Sequence, residues 1–286
     1  NTVCKATLFD EWGQFIQTAS TKVKTYYPKA GWSERNVGEL WQANARNIRK
    51  LIQKSGISPT QIVAIGSAGH GNGLYLLDKK GQLLKGIQSL DSRAGALVEV
   101  WKAEGLQKKV FSLTQQEFWA SQTNSLLAWH QRFEPQTYEQ IGSVLLCKDV
   151  INYCLTGEVA TDYSDISATN LLNIHTRRYD SQLLEFYQIA DIIEALPPIY
   201  QSDEIIGKVS KSAAKQTGLA VGTPVVVEVD SPDSASVPSV EVSTSSLAGL
   251  LGIGGGMLMV PFITALLGRQ GVAADLAVKM AIATSM

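Results

Sequence analysis

The stretch GHGNG at residues 69–73 combines three glycines with an imidazole and a carboxamide. Glycine lets backbone approach a ligand closely or adopt positive φ, and the amide of Asn72 can act in a cleft as both donor and acceptor. Such a loop suits recognition of a small polar molecule, and an ordinary turn between strands accounts for the same residues locally. Other chemistries find less support. His70, His130 and His175 are widely spaced and HExxH is absent, so no metal site is expected. Neither a GxSxG elbow nor a GxxxxGK phosphate loop occurs, which disfavours hydrolase and P-loop readings. Cys4, Cys147 and Cys154 lack CxxC spacing and an even disulfide framework, and read as buried free thiols in a reducing compartment.

The elements that must hold this loop are legible as alternating patterns. KATLF (5–9), a turn with Asp10 and Gly13, and QFIQTASTKVKTY (14–26) predict a hairpin. Asn36 stands three residues before Glu39, and Val37, Leu40, Trp41, Ala45, Ile48, Leu51 and Ile52 share one helical face. QIVAIGSAG (61–69) predicts a strand running into the loop, and GLYLLDKKGQLL (73–84) a strand, a tight turn and a strand. Helices are expected near 94–104, 115–120 and 124–133, with His130 as a surface or boundary residue of the last. SVLLCKDVINYCLTG (143–157) predicts a strand entering a helix that Gly157 closes. A polar loop at 160–180, a helix at 183–199 and a helix, turn and strand at 211–227 complete a mixed-sheet α/β body.

Lys+Arg number 25 and Asp+Glu 26, so no electrostatic pull toward nucleic acid or anionic membrane is expected. The apolar content of 45% is ample for a core. The chain opens on NTVCKATLFD, without a hydrophobic leader and without Met, and is expected to be a fragment. All six tryptophans lie within the first 129 residues and all four methionines within the last thirty, a break suggesting two sources of chain.

Several motifs in order, NTVCKATLFD, GWSERNVGELW (31–41), IVAIGSAGHGNGLYLLDKKGQLL (62–84), SLDSRA (89–94) and LLCKDVINYCLTGEVATDYSDISATNLLNIHTRRYD (145–180), resemble the FGGY family of carbohydrate kinases. The likeness is to its xylulose and L-xylulose kinases and covers residues 1–227. It implies an actin-like, RNase-H-like α/β fold, ATP and Mg²⁺ as cofactors of the intact family, a sugar or polyol as ligand, a cytoplasmic body and the option of a homo-oligomer. By that similarity residues 69–73 match a sugar-contacting loop, with His70 where glutamine is usual and Asn72 where histidine is common. Asp91 falls on an aspartate suited to accept adjacent sugar hydroxyls, with Arg93 positioning it. Asp162 and Asp165 fall in a segment read here as a structural loop network. Thr2 and Lys5 match the end of a phosphate-facing hairpin whose preceding strand is missing, which would leave an unpaired sheet edge. The segment expected to bring the catalytic aspartate is replaced by a polar linker, 228–246, in which Asp230 and Asp233 are poor candidates, so the catalytic residue is unassigned and the chain is expected not to be competent alone.

Residues 242–268 carry no charged side chain. They resemble the first membrane segment of the TauE/SafE permeases, and AVKMAIATSM (277–286) continues the match. The expectation is a short apolar helical tail over 247–286 that contacts membrane or detergent. A non-catalytic sugar-binding remnant and a permease fragment are the alternatives to a kinase fragment.

Overall fold

A computed structural model describes residues 3–10, 12–227 and 278–285, the last stretch by its backbone. Strands β1 (Val3–Phe9) and β2 (Phe15–Lys22) form the expected hairpin. Asp10 Oδ1 closes it by accepting the amides of Trp12 and Gln14 at 2.9 and 2.7 Å. Along β1, Cys4, Ala6 and Leu8 are buried while Lys5 is exposed, the period-two alternation of a half-covered strand. After the short β3 (Glu34–Arg35), helix α1 (Val37–Ser55) starts where Asn36 accepts the Glu39 amide at 3.0 Å, and ends at Gly56 in the left-handed region. Its apolar face, with Leu40, Ile48 and Leu51, packs on Cys4, Ala6 and Leu8.

The chain continues through β4 (Ile62–Ala68), β5 (Leu74–Asp78) and β6 (Leu83–Ile87), then α2 (Gly95–Ala103), α3 (Leu106–Thr114), α4 (Thr123–Phe133) and α5 (Pro135–Tyr138). Strand β7 (Ile141–Leu145) leads into α6 (Cys147–Thr156), which Gly157 terminates as the sequence predicts. Short elements follow: β8 (Thr161–Asp162), α7 (Tyr163–Ser167), β9 (Leu172–Asn173), β10 (Arg178–Tyr179), α8 (Ser181–Phe186), β11 (Ile199–Tyr200), β12 (Ile205–Lys208), α9 (Lys211–Thr217), β13 (Pro224–Val226) and β14 (Val278–Ser285). The larger sheet runs β12-β13-β4-β14-β1-β2, and a second runs β3-β6-β5-β7. Strand β5 is buried on both faces. Tyr75 and Leu77 join the core under α1 and α6, while Leu74 and Leu76 join a second core with α2, α4 and α8.

Three expectations are corrected. The stretch 115–120 is not helical: Gln115 turns left-handed at φ 54°, and the Gln107 side chain holds the amide of Phe118 at 2.7 Å and the carbonyl of Gln116 at 2.9 Å. The long helix over 183–199 is α8 followed by a 3₁₀ turn at Ala190–Ala195, with Gln188 left-handed between them. His130 is fully buried rather than a surface residue, because α4 is enclosed by the second core.

The apolar tail is the fourth correction. Residues 278–285 are a strand, antiparallel to β1 with Val3 opposite Ser285, and parallel to β4 with Ala281 opposite Gly66. The edge of β1 is therefore covered, and ladder pairing on both sides gives these residues' backbone groups their partners. No helix among the described residues is long and apolar enough to cross a membrane. Thr2, the linker with Asp230 and Asp233, and the segment 242–268 lie outside the described residues.

Candidate sugar-binding site

Loop 69–73 joins β4 to β5, so its ends are fixed in two different sheets. Asn72 sits left-handed at φ 59°, is 4% exposed, and its Oδ1 is buried without a hydrogen-bond partner. A buried amide oxygen without a donor is a place that water or a ligand hydroxyl can complete. Gly73 follows at φ 78°, and a Cβ there would stand 2.5 Å from the Ile87 carbonyl. Only glycine combines that φ with that approach. Its amide donates to Ser121 O at 3.0 Å and its carbonyl accepts from Thr123 Oγ1 at 2.9 Å, so the start of α4 pins the loop.

His70 is buried, with Nε2 3.0 Å from the Tyr75 hydroxyl. Burial opposes its charged form, but the Cys147 sulfur and the Gly71 carbonyl favour it, and the net direction of its pKa is upward. Its ring faces the protein and anchors the loop to β5.

Asp91 has both oxygens engaged. Oδ1 accepts from the Arg93 amide and Nε, each at 2.9 Å, and Oδ2 from the Ser33 amide at 2.6 Å and Arg93 Nη2 at 2.9 Å. Arg93 Nη2 also reaches Glu34 Oε1 at 2.7 Å, and its guanidinium lies 3.9 Å over the Trp32 ring. The pair thus clamps the 89–94 segment to the chain before β3. Ser121 connects this frame to the loop, since its hydroxyl donates to Ser89 O at 2.6 Å while its carbonyl receives Gly73. Asn72 and the Asp91–Arg93 pair therefore share one support, although Asp91 itself is occupied by the protein.

Sequence reading missed Lys148. Its Nζ lies 2.6 Å from Asp149 Oδ1, 2.8 Å from Asp162 Oδ1 and 3.2 Å from Asp165 Oδ2, and all four side chains are buried. Asp162 does cap α7 through the Ser164 amide at 3.2 Å, in keeping with a loop network. The lysine at its centre had no signal, because a Lys-Asp pair at a helix start ordinarily reads as solvated.

Lys5 is exposed on β1 opposite Ser20, next to a Thr7–Thr18 hydroxyl pair at 3.1 Å. An ammonium beside hydroxyls is chemistry suited to phosphate oxygens. Among the described residues no group of three or more His, Cys, Asp or Glu side chains is arranged to hold a metal ion. Mg²⁺ is assigned to none of the described residues.

The two sheets, their separate cores and the glycine loop that joins them make a mixed α/β fold whose family is shown by its relatives. Residues 1–235 match the profile described as "FGGY family of carbohydrate kinases, N-terminal domain". This chain belongs to the FGGY family of carbohydrate kinases. It is 41% identical over 226 residues to a probable L-xylulose kinase of Pasteurella multocida, covering 79% of this chain and 47% of that one. It is also 41% identical over 223 residues to the L-xylulose/3-keto-L-gulonate kinase of Escherichia coli, covering 78% and 45%. The crystal structure of ligand-bound xylulose kinase from Lactobacillus acidophilus superposes with a TM-score of 0.74 at 24% identity, covering 80% of this chain and 46% of that one, a likeness of fold. The chain spans about half the length of the curated relatives it matches. The family match, over residues 1–235, stops before the stretch 242–268, and the comparisons give no support to a permease relationship.

Proposed function

We propose that this chain recognises a ketopentose of the xylulose or L-xylulose class through loop 69–73, as the sugar-side half of an ATP-dependent kinase. The observation that carries this reading is Asn72, whose buried Oδ1 has no partner although the loop around it is pinned on both sides of Gly73. Asn72 is the proposed hydroxyl-binding group, His70 anchors the loop, and Asp91 with Arg93 forms the frame that keeps the neighbouring segment in place. Lys5 and Thr2 are the proposed phosphate-facing residues.

Phosphoryl transfer requires the attacking hydroxyl, the donor phosphate and Mg²⁺ to be held in line. The matched half supports the sugar side of that arrangement, so binding without turnover is expected from this chain alone, in a reducing cytoplasm. Thermal melting with a panel of ketopentoses, aldopentoses and polyols tests the reading. A concentration-dependent rise with xylulose or L-xylulose supports it, and no rise with any sugar for a folded protein contradicts it. Steady Mg-ATP turnover would show that the chain completes a kinase site by itself.

A further inference from the structure

Gly71 is half-buried, whereas its neighbours His70, Asn72 and Gly73 are buried, so the loop opens at this residue. Its φ is not in the left-handed region that Gly73 occupies. A positive φ therefore does not demand glycine here, and what its missing side chain offers is space beside Asp165. A Cβ at Gly71 would meet one atom outside the adjacent residues within 4 Å, Asp165 Oδ1 at 3.6 Å. Asp165, on α7, is 2% exposed, with Oδ2 buried and ion-paired to Lys148 Nζ at 3.2 Å. The unpartnered Oδ1 of Asn72 lies in the same loop, one residue on.

The charge around Asp165 sets what can bind beside it. One ammonium, Lys148, serves the carboxyl groups of Asp149 and Asp162 as well as Asp165. Above about pH 7, where Asp165 is ionised, an incoming carboxylate would place a further negative charge beside the three carboxyl groups that share this ammonium. A hydroxyl brings both a donor and an acceptor and no net charge.

We propose that Gly71 and Asp165 form a hydroxyl subsite of the sugar pocket, in which Asp165 hydrogen-bonds a hydroxyl of a neutral ketose or polyol and disfavours a carboxylate at that position. This rests on loop 69–73 being the sugar-binding loop, and it makes Asp165 a specificity-determining residue for neutral over acidic sugars.

The test is calorimetric titration of L-xylulose and of xylonate, a five-carbon sugar acid, into the full chain and into Gly71→Ala and Asp165→Asn. Alanine at 71 fits at ordinary contact distance, so that variant is expected to melt like the parent while binding L-xylulose about tenfold more weakly. Asp165→Asn is expected to narrow the preference for L-xylulose over xylonate. Should Asp165→Asn fail to fold, Gly71→Ala decides. Folded variants that bind both ligands as the parent does overturn the subsite and leave the sugar-loop reading standing. A parent chain that binds no ketopentose overturns both.

Discussion

The amide of Gly73 donates to the carbonyl of Ser121 at 3.0 Å, and the hydroxyl of the same serine donates to Ser89 O at 2.6 Å. One residue ahead of α4 thus sets the height of the glycine loop against the segment that carries Asp91. Gly73→Ala is expected to break this relationship, since its φ is 78° and its Cβ would stand 2.5 Å from a backbone carbonyl. A loss of about 2 kcal/mol or more is expected. Urea unfolding measures it, and an unchanged midpoint would contradict the close approach.

Asp91 has its carboxylate wholly used by Arg93 and the Ser33 amide, and neither side chain of the pair is exposed. Asp91→Ala would leave a buried guanidinium with Glu34 as its remaining carboxylate partner. Removing one member of a buried pair costs about 3–5 kcal/mol. Denaturant unfolding is expected to show a loss of that order, with weakened sugar affinity following from loss of the frame; weakened affinity at full stability would instead make Asp91 a direct ligand contact.

Two buried groups give stability opposite dependences on pH. Burial raises the Asp165 pKa from 3.8 to about 7; Lys148 opposes that rise, and Asp162 and Asp149 add to it. With a folded pKa above the unfolded one, its contribution is full below 3.8 and is lost as pH rises through about 7. Burial, with Lys85 and Arg93 nearby, lowers His130 from 6.5 to about 3. Glu134 Oε2 lies 3.1 Å from its Nδ1, yet the ring nitrogens have no hydrogen-bond partner, so burial governs. The His130 contribution is present above 6.5 and is lost as pH falls toward about 3. Asp165→Asn is expected to flatten the decline toward neutral pH, and His130→Gln the decline toward acid. Unfolding midpoints across this range check both, and parallel curves for parent and variants would contradict the assignments.

Strand β14 lies between β4 and β1, so the β1–β2 hairpin reaches the rest of its sheet through it. Deleting residues 278–286 is expected to speed amide exchange along β1 by opening its edge. Unchanged protection of β1 would show that α1 holds the hairpin without this strand.

Much of this architecture is readable from sequence where local chemistry and packing agree. Asn36, Gly157 and Gly218 mark helix ends that the structure keeps, because each supplies its own cap. Tertiary contacts decided the rest. The turn at Gln188 lets Tyr187, Ile189 and Ile192 all reach the second core, which a continuous helix would not allow. Phe118 leaves helical geometry to pack 5.1 Å from Trp101 and 5.9 Å from Tyr187. The site divides the same way. The glycine loop is visible in GHGNG itself, whereas Ser121 acts on a loop dozens of residues away and Lys148 on the carboxylates of Asp162 and Asp165 further along the chain, separations that leave no local pattern. The strand at 278–285 was hidden by a composition that matches an apolar tail equally well.

The central claim is that loop 69–73 binds a ketopentose through Asn72, and calorimetric titration of L-xylulose into the chain and into Asn72→Ala tests it most directly. The expected result is saturable binding by the parent, weakened about tenfold in the variant while its melting temperature is retained. Equal binding by both proteins, or none by a folded parent, would contradict it.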